Sequence, residues 1–136
     1  DIEPSRGLGD VYKRQTHRLA LVAAATSGDP SFFLGTDSAP HLDSAKLAPC
    51  GCAGIYTAPN TLACLAQIFD NEGALDRLDG FVARHGAAFY GVPVNDGSVT
   101  LVRTAAPQPV PDDRATPEGD LTVFDPLVPI HWAVEG

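Results

Sequence analysis

An aspartate and a histidine lie close together on one short segment where they could do chemistry. Asp37 directly follows the apolar run FFLGT at 32–36, and His41 comes four residues later, after Pro40. An apolar run without alternation, close behind a helix, is typical of a strand buried on both faces of a parallel α/β sheet. The carboxyl ends of such strands form the active-site face, where a carboxylate can bind metal or transfer a proton. The structural alternative is that Asp37 caps the next turn and that His41 is a surface residue.

The cysteines offer a weaker metal-binding pattern. Cys50 and Cys52 form a C-x-C pair that could supply two thiolates, but a structural zinc site takes four ligands and no second Cys/His pair has a usable spacing. Cys64 falls on the apolar face of a predicted helix and is interpreted as a core residue. A small module that holds one metal ion with Asp37, His41 and Cys50 stays open as an alternative.

The elements that would position these residues follow an α/β order. Because apolar residues recur at helical spacing and end at turn residues, three helices are predicted around a short strand and a long loop. The predicted elements are a helix at Thr16–Thr26, a strand at Phe32–Thr36, a Gly-, Ala- and Pro-rich loop at Ser38–Ala58, helices at Asn60–Phe69 and Ala74–His85, short strands at Phe89–Pro93 and Val99–Val102 around the turn Asn95-Asp96-Gly97, an acidic Pro-rich loop at Pro107–Asp120, and extended segments at Leu121–Phe124 and Ile130–Val134.

Composition excludes several classes of function. The 136 residues suit one domain, and 44% hydrophobic residues can build a core. Nine Lys and Arg against 17 Asp and Glu give a net charge of −8, which disfavours binding to nucleic acid or to an anionic membrane. No apolar run approaches the ~18 residues of a membrane span. Three cysteines suit a reducing cytoplasm better than a disulfide scaffold.

The first fifteen residues, DIEPSRGLGDVYKRQ, differ from the rest of the chain. They lack a helical or strand period and carry no net charge, so residues 16–136 carry the whole −8. The string GLGDVYKRQ resembles translated adapter sequence. We therefore expect residues 1–15 to be a non-native segment and residues 16–136 to form the domain, with a native disordered arm as the alternative.

Four segments carry a family resemblance: FFLGTDSAPH, CGCAG, APNTLACLAQIF and FYGVPVND. Together they resemble the C-terminal part of class II dihydroorotases, members of the amidohydrolase superfamily with (β/α)8 barrels. The resemblance implies an α/β fold that is the last helix–strand–helix unit of a TIM-type barrel plus a C-terminal extension. It also implies a zinc-dependent hydrolase of cyclic amides, which reversibly cyclises N-carbamoyl-L-aspartate to L-dihydroorotate in pyrimidine biosynthesis.

The same resemblance implies roles for three residues. Asp37 would be the general base and a ligand of one zinc in a binuclear centre. His41 and the backbone of Ala53 would hold the substrate carboxylate. Leu47 departs from the family, which commonly has an acid at that position.

The resemblance also implies what the chain lacks. No H-x-H pair occurs, and Lys13 and Lys46 are the only lysines, so most of the family's metal ligands are absent. We expect the chain to correspond to the last third of an enzyme, to be inactive alone, and to expose an apolar edge. The full-length enzyme would be a cytoplasmic homodimer. The alternative of another class is a stand-alone α/β structural or protein-interaction domain without catalysis.

Overall fold

The computed structural model of the chain describes residues 4–47 and 54–136. These residues divide into two compact units. Unit 1 combines the residues up to Leu34 with Phe69–Asn95, and unit 2 combines Gly35–Ile68 with Asp96–Gly136. No helix in the described ranges is both long enough and apolar enough to cross a membrane.

Unit 1 begins with helix α1, Pro4–Ala25. The sequence predicts this helix from Thr16, and the structure extends it back to Pro4 although residues 4–15 lack a helical period. Once a helix is nucleated, each added residue gains a backbone hydrogen bond, and the helix can extend beyond its periodic apolar part. At the other end, the Thr26 hydroxyl donates to the Val22 carbonyl at 2.7 Å, and Arg77 Nη1 donates to the Thr26 carbonyl at 3.0 Å.

The second half of unit 1 is a sequence of three different helical turns. A 3₁₀ turn at Leu75–Arg77 leads to a π-helical turn at Gly80–Arg84 and then to a short α-helix at His85–Tyr90. The end predicted for the Ala74–His85 helix is wrong, because the next residue, Gly86, packs inside the helix: a Cβ there would lie 3.1 Å from the Phe33 ring. The helix ends instead at Gly91, whose φ is +67°. The strand predicted at Phe89–Pro93 therefore starts inside a helix.

Phe69 is the centre of the unit 1 core. Its side chain is fully buried, and its ring lies 5.4 Å from that of Phe81. Ala74 and Leu78 are also buried. The Leu34 N–H donates to the Phe81 carbonyl at 3.0 Å, which fixes the end of the FFLGT run to this core.

The strand predicted at 32–36 does not form. In the described part of the chain these residues pair with no other strand. A strand exists only through hydrogen bonds to a neighbouring strand, and an apolar run alone does not supply that neighbour.

Unit 2 contains two antiparallel strand pairs. Strand β1, Leu101–Arg103, pairs with β4, Trp132–Val134, and strand β2, Arg114–Thr116, pairs with β3, Gly119–Leu121. The strand predicted at Val99–Val102 overlaps β1 in two residues, and the extended segment predicted at Ile130–Val134 contains β4. The predicted loop at 107–120 is wrong in part, because it contains β2 and the start of β3. The turn at 95–97 joins no hairpin, because β1 pairs with β4.

Two further helices follow Asp37 in the chain. Helix α2, Asp43–Leu47, interrupts the loop predicted at 38–58, and helix α3, Thr61–Asn71, confirms the helix predicted at Asn60–Phe69 to within two residues. Helix α3 contributes the fully buried Ala66 to the core, and Asn60 Nδ2 donates to the Phe124 carbonyl at 2.9 Å.

Candidate functional site

Asp37 lies on an exposed loop of unit 2. Its φ is +44°, in the left-handed region that non-glycine residues rarely adopt, although aspartate tolerates it better than most. Its carboxylate accepts no hydrogen bond from the groups that the structure describes. The described residues therefore give no support to the interpretation that Asp37 caps a turn. They leave its carboxylate open to solvent and to a ligand.

The loop that carries Asp37 is held in place by the next residue. The Ser38 Oγ accepts the N–H groups of Thr57 at 3.2 Å and Ala58 at 3.1 Å. The Ala39 N–H donates to the Ile55 carbonyl at 2.8 Å. Three hydrogen bonds thus join residues 38–39 to residues 55–58. Because these hydrogen bonds hold the two residues that follow Asp37, they limit the positions that the Asp37 carboxylate can take.

Gly54 makes this pairing possible. A Cβ at this position would lie 2.6 Å from the Ala39 Cβ, and the Gly54 φ is +104°. Both facts require glycine, the first by close approach and the second by backbone conformation. Ala53, the expected donor of a substrate-binding N–H, precedes it and lies outside the described residues, as do Cys50 and Cys52.

His41 lies on the same exposed loop as Asp37. Its N–H donates to the Ala39 carbonyl at 2.9 Å, which makes a tight turn at Pro40. Within the described ranges the imidazole makes no hydrogen bond, and in particular none to Asp37. The two side chains therefore share a loop and solvent exposure, without direct contact through a hydrogen bond.

The described residues do not fit a zinc centre by themselves. Among the side chains that the structure describes, those of residues 14–47 and 54–136, no three from His, Cys, Asp or Glu lie together as metal ligands. Zinc sites in proteins take three or four protein ligands. Asp37 supplies one carboxylate, so further ligands are needed before a zinc ion would bind here. The three-residue module with Cys50 includes a residue outside the described ranges.

Cys64 lines an apolar cleft of about 180 Å³ in unit 2, together with Pro109 and Trp132. Its side chain is half-buried rather than part of the central core. Burial raises the pKa of the Cys64 thiol above its ordinary value. The neutral thiol therefore predominates near pH 7, which makes Cys64 a poor nucleophile there.

Two polar residues that organise the loop were missed in the sequence. Ser38 anchors it, and Asp43 accepts hydrogen bonds from the Thr122 N–H at 3.2 Å and the Thr122 hydroxyl at 2.7 Å. Asp43 also lines an open groove of about 570 Å³, together with Lys46 and Tyr56. The partners of Ser38 and Asp43 are far away in the chain, so local sequence patterns carry no signal for either contact.

The fold of the chain matches that of solved dihydroorotases. The crystal structure of dihydroorotase from Saccharomyces cerevisiae in complex with 5-fluoroorotic acid is similar with a TM-score of 0.70 and 34% identity, and the match covers 85% of this chain and 33% of that one. Dihydroorotase from Campylobacter jejuni shares the fold with a TM-score of 0.69 at 24% identity, over 86% of this chain and 33% of its own. No protein-family model matches the chain.

The curated relatives are also dihydroorotases. The chain is 59% identical over 124 residues to the enzyme of Ruegeria sp. (strain TM1040), which is 91% of this chain and 36% of the relative. It is 55% identical over 126 residues to that of Rhizobium rhizogenes, which is 93% of this chain and 36% of the relative. The chain is therefore homologous to dihydroorotases over most of its length, and it spans about a third of their length.

Proposed function

We propose that residues 16–136 form the C-terminal part of a dihydroorotase of the amidohydrolase superfamily. This part would be the last helix–strand–helix unit of a (β/α)8 barrel plus a C-terminal extension. The similarity at 59% identity over 91% of the chain supports this proposal. That residues 1–15 are non-native stays a prediction of the sequence. The similarities do not favour the alternative of a stand-alone interaction domain.

The proposed reaction is the reversible ring closure of N-carbamoyl-L-aspartate to L-dihydroorotate. In the hydrolytic direction, water adds to the ring carbonyl carbon, the carbon–nitrogen bond breaks, and the nitrogen leaves with a proton. Asp37 would accept the proton of the attacking water and deliver it to that nitrogen. The observation that carries this role is an exposed carboxylate, without a partner among the described residues, on a loop fixed through Ser38.

The substrate carboxylate would be held by His41 and by the N–H of Ala53. The exposure of His41 on the Asp37 loop supports its part in this role. Gly54 directly follows Ala53 in the chain, and the absence of a side chain at Gly54 lets a ligand approach the backbone beside it, which supports the part of Ala53.

Asp37 would also be one ligand of a binuclear zinc centre. The described residues hold no group of three potential metal ligands, so we assign zinc no step in the proton transfer. The complete enzyme would act in the cytoplasm on this small-molecule substrate and form a homodimer, with no role for nucleic acid or membranes.

A chimera tests the proposed function. The segment of the Ruegeria dihydroorotase that matches this chain is replaced by residues 16–136, and interconversion of dihydroorotate and N-carbamoyl-L-aspartate is measured. The chimera should turn over substrate, and Asp37→Asn should lower kcat by about 10²- to 10⁴-fold, the usual contribution of a general base. Asp112→Asn is the matched control, because it removes an exposed carboxylate from another loop of unit 2.

Metal analysis of the same variants separates the two roles of Asp37. If Asp37 is a zinc ligand, Asp37→Asn should also lower the zinc content of the chimera. If Asp37 acts only as the base, activity falls and zinc is retained. A folded but inactive chimera, or an Asp37→Asn variant with normal turnover, would reject the proposed function.

A further inference from the structure

The histidine proposed to hold the substrate carboxylate lies between two points at which the chain is held. On its N-terminal side, the Ala39 N–H donates to the Ile55 carbonyl at 2.8 Å, and the His41 N–H donates to the Ala39 carbonyl at 2.9 Å. On its C-terminal side, helix α2 begins at Asp43, two residues later. The backbone position of His41 therefore depends in part on what holds Asp43.

Thr122 holds the Asp43 side chain. Its hydroxyl oxygen lies 2.7 Å from Asp43 Oδ1 and 2.8 Å from Oδ2, and its N–H donates to Oδ1 at 3.2 Å. A hydroxyl has one proton and donates to one oxygen at a time, so the backbone N–H supplies the second bond. Hydrogen bonds to an ionised carboxylate are stronger than those between neutral groups. Thr122 thus ties the start of helix α2 to a segment 79 residues further along the chain.

The segment that carries Thr122 is itself fixed. Val123, the next residue, is 4% exposed and forms a parallel bridge with Tyr56. The Phe124 N–H donates to the Tyr56 carbonyl at 2.8 Å, and the Phe124 carbonyl accepts a hydrogen bond from Asn60 Nδ2 at 2.9 Å. Because two residues directly after Thr122 are held in this way, its hydroxyl can serve as an anchor for helix α2.

We propose that Thr122 is a positioning residue for His41 and acts through Asp43. This inference rests on the proposed function, in which His41 holds the substrate carboxylate. Without the Thr122 hydroxyl, the start of helix α2 loses a contact that fixes it, so the histidine is less well organised before the carboxylate binds. Asp37 is held separately, through the hydrogen bonds of Ser38. The Thr122 hydroxyl should therefore affect KM rather than kcat.

Steady-state kinetics of the chimera with the Ruegeria dihydroorotase test this role. Thr122→Val replaces the hydroxyl by a methyl group and should raise KM for dihydroorotate about threefold to tenfold, with kcat within about twofold of the wild type. Thr122→Ser keeps the hydroxyl and should restore the wild-type KM. The matched control is Thr100→Val, which changes an exposed threonine of unit 2 whose hydroxyl has no partner in the described part of the chain. This control should leave both constants unchanged.

A double-mutant cycle separates positioning from general stability. In the His41→Ala background, Thr122→Val should change KM by less than about twofold, because the histidine through which Thr122 acts is gone. An effect of full size in that background would make Thr122 a structural residue only and would overturn the proposal.

Hydrogen exchange of the full chain tests the anchor without turnover. Thr122→Val should speed the exchange of the Ala45 and Lys46 N–H groups, which donate to the Leu42 carbonyl, by about threefold or more, whereas Thr122→Ser and Thr100→Val should not. Unchanged exchange, an unchanged KM in an active chimera, or a loss confined to kcat overturns the role of Thr122 and leaves the proposed function standing. An inactive wild-type chimera rejects the proposed function, and the substrate-binding role of Thr122 falls with it.

Discussion

Replacing Gly54 by alanine should destabilise unit 2 and displace the loop that carries Asp37. A Cβ at position 54 would lie 2.6 Å from the Ala39 Cβ. Two carbons in contact are optimally about 3.5–4.0 Å apart, so the two segments must separate by roughly 1 Å. The Ala39 N–H to Ile55 carbonyl bond, now 2.8 Å long, would open to about 3.8 Å and no longer be a hydrogen bond.

The size of the effect follows from two terms. A lost backbone hydrogen bond costs about 1 kcal/mol, and a non-glycine residue at φ +104° costs about 1–3 kcal/mol. Gly54→Ala should therefore lower the free energy of unfolding by about 2–4 kcal/mol. Urea unfolding followed by tryptophan fluorescence measures it, because Trp132 is the single tryptophan and lies in unit 2.

Two comparisons separate the causes. Gly97→Ala is the matched control in unit 2, since a Cβ there has nothing within 4 Å, and it should change stability by less than about 0.5 kcal/mol. Ala39→Gly in the Gly54→Ala background removes the contact but leaves the backbone strain, so it should restore only part of the loss. If Gly54→Ala unfolds at the same urea concentration as Gly97→Ala, the argument is wrong.

Three further predictions concern buried groups. Phe69→Ala changes a fully buried position and should lower the free energy of unfolding, measured by urea titration, by about 3–5 kcal/mol. Phe89→Ala changes a 71% exposed position and should lower it much less. Equal losses for the two variants would contradict the packing argument. Gln67→Leu removes the acceptor of the His131 N–H, 2.7 Å away, and should cost about 1–3 kcal/mol, which Gln67→Glu should partly avoid in the same titration. Because burial raises the pKa of the Cys64 thiol, alkylation of Cys64 near pH 8, measured by mass spectrometry, should be slower in the folded chain than in urea. The contribution of the neutral thiol to the free energy of unfolding should be lost as the pH rises from the pKa of the unfolded thiol through the higher pKa of the folded one. Equal alkylation rates in the folded chain and in urea would refute the raised pKa.

The positions of Asp37 and His41 on one loop follow from the sequence alone. The acid, the proline and the histidine are separated by only a few residues, so the chain itself keeps them near each other. Helix α3 was equally predictable, because apolar residues at helical spacing end up on one buried face, and Ala66 and Phe69 are fully buried. These features depend on neighbours in the chain.

The remaining features were decided by contacts between distant segments. The run at 32–36 has the composition of a strand, but in the described part of the chain it finds no strand to pair with. Strand β1 pairs with β4 rather than folding back at residues 95–97, and Ser38 fixes the Asp37 loop through Thr57 and Ala58. The local periodicity of the sequence indicates which face of a helix or strand is apolar. Strand pairing and the hydrogen bonds that hold the Asp37 loop depend on which distant segments meet, and only the tertiary structure determines that.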